Sequence, residues 1–62
     1  MSSTMRAVMR ALYVGRYKWQ TTNEVAKRAG VSWTTARKKL RSLRRRGKVS
    51  RRRKGNRTYW RI

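Results

Sequence analysis

The sequence predicts a small α+β domain built from three helices, a small antiparallel sheet and a C-terminal β-hairpin. Three observations lead there. Apolar residues recur at helical spacing twice, at Met5, Val8, Met9 and Leu12 and again at Ala36, Leu40 and Leu43. Between these stripes, Thr21-Thr22-Asn23-Glu24 carries a helix-start signature. After them, β-forming residues flank a turn signal at Gly55-Asn56. A chain of 62 residues is one small domain. Near that length a domain buries only about 60% of the surface its unfolded chain exposes, which leaves little interior for a substrate cleft.

The first helix spans about 4–14, following the Ser/Thr cluster at 2 to 4, with Gly15 offering a C′ stop; Ser2, Ser3 and Thr4 are expected to fray. Arg16-Tyr17-Lys18-Trp19-Gln20 alternates aromatic with polar residues and predicts a short strand at about 17–20. The second helix covers about 22–29. Thr21 caps it and Glu24 reaches back to the cap amide, while Val25, Ala26 and Ala29 face inward. Glu24 therefore has a structural task and is assigned no chemistry.

Gly30 ends that helix, Val31 points inward, and Ser32 caps a third helix of about 33–46 that Gly47 stops. At 100° per residue, Ala36, Leu40 and Leu43 face the core. Thr34, Lys38, Arg41 and Arg45 lie opposite, with Arg37 on one shoulder and Thr35 and Ser42 on the other. Residues 48–62 read as a hairpin whose register follows from parity. A two-residue loop at 55 and 56 pairs Lys54 with Arg57, Arg51 with Trp60 and Val49 with Ile62. Val49, Trp60 and Ile62 then seal the core, and Arg52, Tyr59 and Arg61 take the other face. Trp19 and Trp60 are expected in the core, as are Met5 and Met9. Trp33 is placed at the core edge in preference to a stacking role, and Tyr17 and Tyr59 are placed on the sheet surface in preference to serving as base-stacking platforms.

Charge narrows the function. Lys and Arg number 20 against a single acid, giving a net charge of +19. Fourteen of the 20 lie from Arg37 onward, and five fall between Arg51 and Arg57. Self-repulsion on this scale makes a polyanion the natural partner. With no Cys and no His, thiolate and imidazole metal sites, disulfides and Cys/His nucleophiles cannot be built. One carboxylate also excludes paired-acid hydrolysis and Mg²⁺ clusters. Neither an enzyme nor a cofactor nor a metal is expected. No stretch approaches ~18 uncharged apolar residues, and the apolar groups are arranged for an interior and not along one continuous helix, so a membrane partner is not expected either.

Helix, short strand, capped helix, tight turn, second helix and basic hairpin, in that order, resemble a winged helix-turn-helix domain over nearly the whole chain. The specific part is Thr21-x-x-Glu24-Val25-Ala26-x-x-x-Gly30-Val31-Ser32-x-x-x-Ala36-x-x-x-Leu40-x-x-Leu43-x-x-x-Gly47-x-Val49, followed by Tyr59-Trp60-Arg61-Ile62. The resemblance implies double-stranded DNA as partner, with a recognition helix in the major groove and a wing on backbone or minor groove. Ser32, Trp33, Thr34, Thr35, Arg37, Lys38, Arg41 and Arg45 are the candidate residues on the recognition helix, and Arg51, Arg52, Arg53, Lys54 and Arg57 those on the wing. With the last strand ending at Ile62, no residues remain for the dimerisation helix that many winged-helix repressors carry, so a monomer is expected, with cooperative coating of DNA left open. The helix has no Asn or Gln for bidentate adenine readout, which favours binding that depends weakly on sequence. A cytoplasmic, nucleoid-associated or packaging role and a small transcriptional regulator are both compatible with this. Structured or ribosomal RNA is the alternative partner.

Overall fold

The computed structural model describes residues 3–62 as α1 (Ser3–Val14), β1 (Gln20–Thr21), α2 (Thr22–Ala29), α3 (Trp33–Arg45), β2 (Ser50–Lys54) and β3 (Arg57–Arg61). The three strands form one antiparallel sheet in the order β1-β3-β2, so β3 is central. This is the three-helix, hairpin-bearing α+β architecture that the sequence predicts.

α1 buries Met5, Val8, Ala11 and Leu12 and turns Arg6 and Arg10 to solvent. Ser3 and Thr4, expected to fray, are its first residues, while Ser2 lies outside the described residues. Gly15 is needed for a reason other than the expected helix stop. It does not adopt the left-handed conformation, and a Cβ there would sit 2.3 Å from the side-chain amide nitrogen of Gln20. The chain then turns, with Lys18 N donating to the Gly15 carbonyl at 3.1 Å. That turn consumes most of the segment expected to be a strand at 17–20. Only Gln20 and Thr21 reach the sheet, opposite Trp60 and Tyr59.

Both interhelical caps form as the residue types demand. The Thr21 hydroxyl accepts from Glu24 N at 3.1 Å, and Thr21 N donates to Glu24 Oε1 at 3.0 Å. Gly30 then takes φ 71°, and Val31 N donates to the Ala26 carbonyl, closing the end of α2. Ser32 Oγ accepts from Thr35 N to start α3, and Gly47, at φ 72°, ends it as Lys48 N donates to the Leu43 carbonyl.

The hairpin has the even loop expected from parity. Arg51 faces Trp60, Arg52 faces Tyr59 and Lys54 faces Arg57. Gly55 has positive φ and Asn56 does not, the type II′ pattern. Val49, just before β2, is buried, as is Trp60. Ile62 corrects the expectation: the ladder stops at Arg61, and Ile62 is 49% exposed instead of sealing the core. Trp19 is also half-buried, covering the sheet's outer side with the Arg52 guanidinium 5.6 Å from its ring centre. The core consists of Met5, Val8, Ala11 and Leu12 from α1, Val25 from α2, Leu40 and Leu43 from α3, and Val49 and Trp60. Met9, Ala29 and Val31 pack against its rim.

Candidate nucleic-acid interface

The ladder pairings sort the hairpin's cations. Directly opposed residues share a face, and Trp60 is buried, so Gln20, Arg51 and Trp60 point inward while Arg52 and Tyr59 point away. By the same alternation Arg53 and Thr58 follow Arg51 inward, while Lys54 and its partner Arg57 follow Arg52, although Arg57, beside the turn, still lines the cleft described next. The five wing cations named from sequence therefore do not form one comb.

An open cleft runs between the start of α2, the exposed side of α3 and the inward face of the hairpin. Trp33, Arg37 and Arg41 line it from α3, and Arg51, Arg53 and Arg57 line it from the hairpin. Trp33, Arg37 and Arg41 are spaced four apart and so make one row along the helix. Thr22 and Asn23 close the end where α2 begins. Trp33 was expected at the core edge. It is instead 50% exposed, with the Arg37 guanidinium 5.6 Å from its ring centre. The reason is that α3's inward stripe begins only at Ala36, leaving the first residue of the helix beyond the packed interior.

Thr34, Lys38 and Arg45 are exposed on α3 but do not line this cleft. Ser32 and Thr35 are engaged in the helix cap, where Ser32 Oγ both accepts from Thr35 N and donates to Thr35 Oγ1 at 2.8 Å. Arg52 and Lys54 stand on the hairpin's other face. Sequence reasoning missed Asn23, Asn56 and Thr58 as lining residues, because nothing local distinguishes them from ordinary cap and turn residues.

Arginines on both walls of one cleft repel each other, and the sequence supplies one carboxylate to offset them. That carboxylate, Glu24, is engaged elsewhere. The Thr21 backbone N–H holds its pKa below the ordinary value; partial burial opposes this, and the Thr21 hydroxyl, Lys18 and Arg28 reinforce it. No group of three or more His, Cys, Asp or Glu side chains is placed to hold a metal among the described residues. No helix among them is long and apolar enough to cross a membrane.

The family model for FaeA-like proteins matches residues 11–62, which takes in the α1 C-terminal turn and everything after it. The chain belongs to the FaeA-like protein family. Among solved structures, this FaeA-like chain is similar to the homodimeric winged helix-turn-helix DNA-binding domain of a possible ArsR-family transcriptional regulator from Mycobacterium bovis. The two superpose with a TM-score of 0.80 at 30% identity, over 90% of this chain and 52% of the other. The FaeA-like chain thus spans about half the length of that domain. No curated protein matches it.

Proposed function

We propose that this chain is a duplex-DNA-binding module. The observation that carries the reading is the cleft in which Arg37 and Arg41 of α3 face Arg51, Arg53 and Arg57 of the hairpin, with exposed Trp33 at one end. Its two walls are the elements that a winged helix-turn-helix domain presents to DNA. α3 enters the major groove with Arg37, Lys38 and Arg41 toward base edges or phosphates and Thr34 toward a phosphate or thymine methyl. Arg45 lies further along the helix and reaches the backbone. The hairpin's arginines follow the phosphates or the adjacent minor groove. The similarity to a DNA-binding domain from M. bovis supports the same partner.

Many cations and few base-readers favour weak dependence on sequence, a property suited to a packaging protein or to a small regulator of low intrinsic selectivity. With no His, no Cys and one acid in the sequence, the reading is of a binding module and not of an enzyme, acting where cellular DNA lies. It is read as a monomer when free, although the M. bovis domain is a homodimer; sedimentation of the free protein and of its duplex complex tests this point.

The deciding experiment is equilibrium binding over a salt series to a DNA duplex and to an RNA duplex of matching sequence. Tight, steeply salt-dependent preference for DNA is expected. Arg51→Ala or Arg53→Ala should weaken all sequences alike and lower the salt slope by about one ion each. A base-reading arginine on α3 should instead cost about 1–3 kcal/mol at selected sequences only. Equal or tighter binding of the RNA duplex, or full DNA affinity after Arg37, Lys38 and Arg41 are all changed to Ala, would overturn the major-groove reading.

A further inference from the structure

The side of the sheet turned away from the cleft has its own composition. Tyr59 and Arg52 share it, and the Arg52 guanidinium lies over the Trp19 ring. From Tyr59 the same face continues two residues along β3 to Arg61, whose Nε donates to the Arg16 carbonyl at 3.1 Å. Arg16 is itself held between two rings, 4.3 Å from the centre of Tyr13 and 4.6 Å from that of Tyr17. Its guanidinium also donates to the Tyr13 carbonyl and to the Tyr17 hydroxyl. Four of the chain's six aromatic residues are thus strung with Arg16, Arg52 and Arg61 across one continuous surface.

This surface is not an overflow of the core. Tyr17 is 79% exposed and Tyr13 58% exposed, although Arg16 lies against one face of each ring, so the opposite ring faces are open. Cations hold the rings in place where apolar packing does not, and such contacts are common between arginine and aromatic side chains. Alternating open π-faces and fixed positive charges match one polymer: a single strand of nucleic acid, whose bases stack and whose phosphates pair with the intervening cations. A base-paired duplex offers no such faces, because its bases are already stacked. The sequence's one carboxylate, Glu24, is bound up in the α2 cap, and a +19 chain disfavours any partner that lacks negative charge.

We propose that the outer face formed by Tyr13, Arg16, Tyr17, Trp19, Arg52 and Tyr59 binds single-stranded nucleic acid by stacking. It is separate from the cleft between α3 and the hairpin, with which these six residues share no lining residue. A module with both surfaces holds a duplex on one side and an unpaired strand on the other.

The test is fluorescence anisotropy of a labelled oligothymidylate and, in parallel, a labelled oligouridylate, with and without saturating unlabelled duplex DNA. Binding of strand to the duplex-saturated protein is expected, and the two labels show whether the strand taken is DNA or RNA. The double variant Tyr13→Ala, Tyr17→Ala should lose roughly tenfold or more in strand affinity while keeping its duplex affinity and its helical circular dichroism. Tyr17→Phe, which keeps the ring, should restore most of the loss in the presence of Tyr13→Phe. Displacement of the strand by duplex in a one-for-one competition would overturn the proposal, as would unchanged strand affinity in the double alanine variant. Because duplex and strand are measured separately, loss of strand binding alone leaves the reading of the cleft intact, and loss of duplex binding alone leaves this one intact.

Discussion

The indole Nε1–H of Trp60 donates to the Thr22 hydroxyl at 2.9 Å, a buried bond between residues 38 positions apart. It joins the central strand to the first residue of α2. Trp60 is also the inward partner of Gln20 and Arg51. One side chain therefore closes the core, sits opposite both neighbouring strands and ties the hairpin to the start of α2, where Thr22 and Asn23 line the end of the cleft.

Thr22→Val keeps the shape of the side chain and removes the acceptor. The indole N–H is then left buried and unpaired, at a cost of about 1–3 kcal/mol. Urea unfolding should show a lower midpoint with an unchanged slope. A midpoint equal to that of the parent would mean that the bond does not hold the hairpin.

Gly15→Ala brings a methyl group against the side-chain amide of Gln20, which is only 1% exposed and donates to the Ala11 carbonyl at 3.2 Å. The amide cannot swing into solvent without breaking that bond, so overpacking should cost about 1–3 kcal/mol. The same substitution made in a Gln20→Ala background meets no amide. Its cost there should be smaller by at least about 0.5 kcal/mol, read from a double-mutant cycle of thermal or urea unfolding. Simple additivity would show that the collision is relieved freely.

These two contacts also mark where the sequence stops being legible. The capping box at Thr21 and Glu24, the Ser32 cap, the glycine stops at 30 and 47 and the parity of the hairpin all depend on residues close along the chain, and each can be read from spacing. Gln20 could not be read this way, since its burial depends on the missing Cβ of Gly15 and on β3, far along the chain. Tyr17 and Trp19 alternate like strand residues, but the turn closed by Gly15 and Lys18 delays pairing until Gln20. At the site, the outward cations of α3 follow from helical angle alone. The inward face of the hairpin follows from parity as well, because Val49 and Trp60 share it with Arg51 and leave Arg52 on the other, but that Arg57, opposite Lys54, also lines the cleft does not. Trp33 was misplaced for a similar reason: its angle lies near the apolar stripe, yet packing begins a turn later, at Ala36.

Trp33→Ala separates a cleft residue from a core residue. Half-exposed and resting against Arg37, it should cost no more than about 0.5 kcal/mol of folding stability. Duplex affinity should nevertheless fall by roughly 1 kcal/mol, about fivefold. For comparison, Leu40→Ala, fully buried in the core, should cost about 2–5 kcal/mol. A Trp33 variant that unfolds as easily as the Leu40 variant would return that ring to the core.

Glu24 gives the chain a predictable response to acid. In the folded state its carboxylate accepts the Thr21 backbone N–H, the largest of the influences that hold its pKa below the ordinary carboxylate value. A depressed folded pKa means that the unfolded chain takes up the proton first. The stabilisation is therefore fully present above the unfolded value and is lost as pH falls through the lower folded one. Glu24→Gln keeps an acceptor oxygen for the cap without the charge, so the parent should be the more stable at neutral pH. That margin should hold steady from pH ~7 down to pH ~5 and then shrink toward nothing as the carboxylate is neutralised. Thermal midpoints of the two proteins over a pH series measure it directly, since no other acidic side chain titrates in this range. A margin that stays constant or widens below pH ~3 would mean that the charge on Glu24 contributes nothing to the cap.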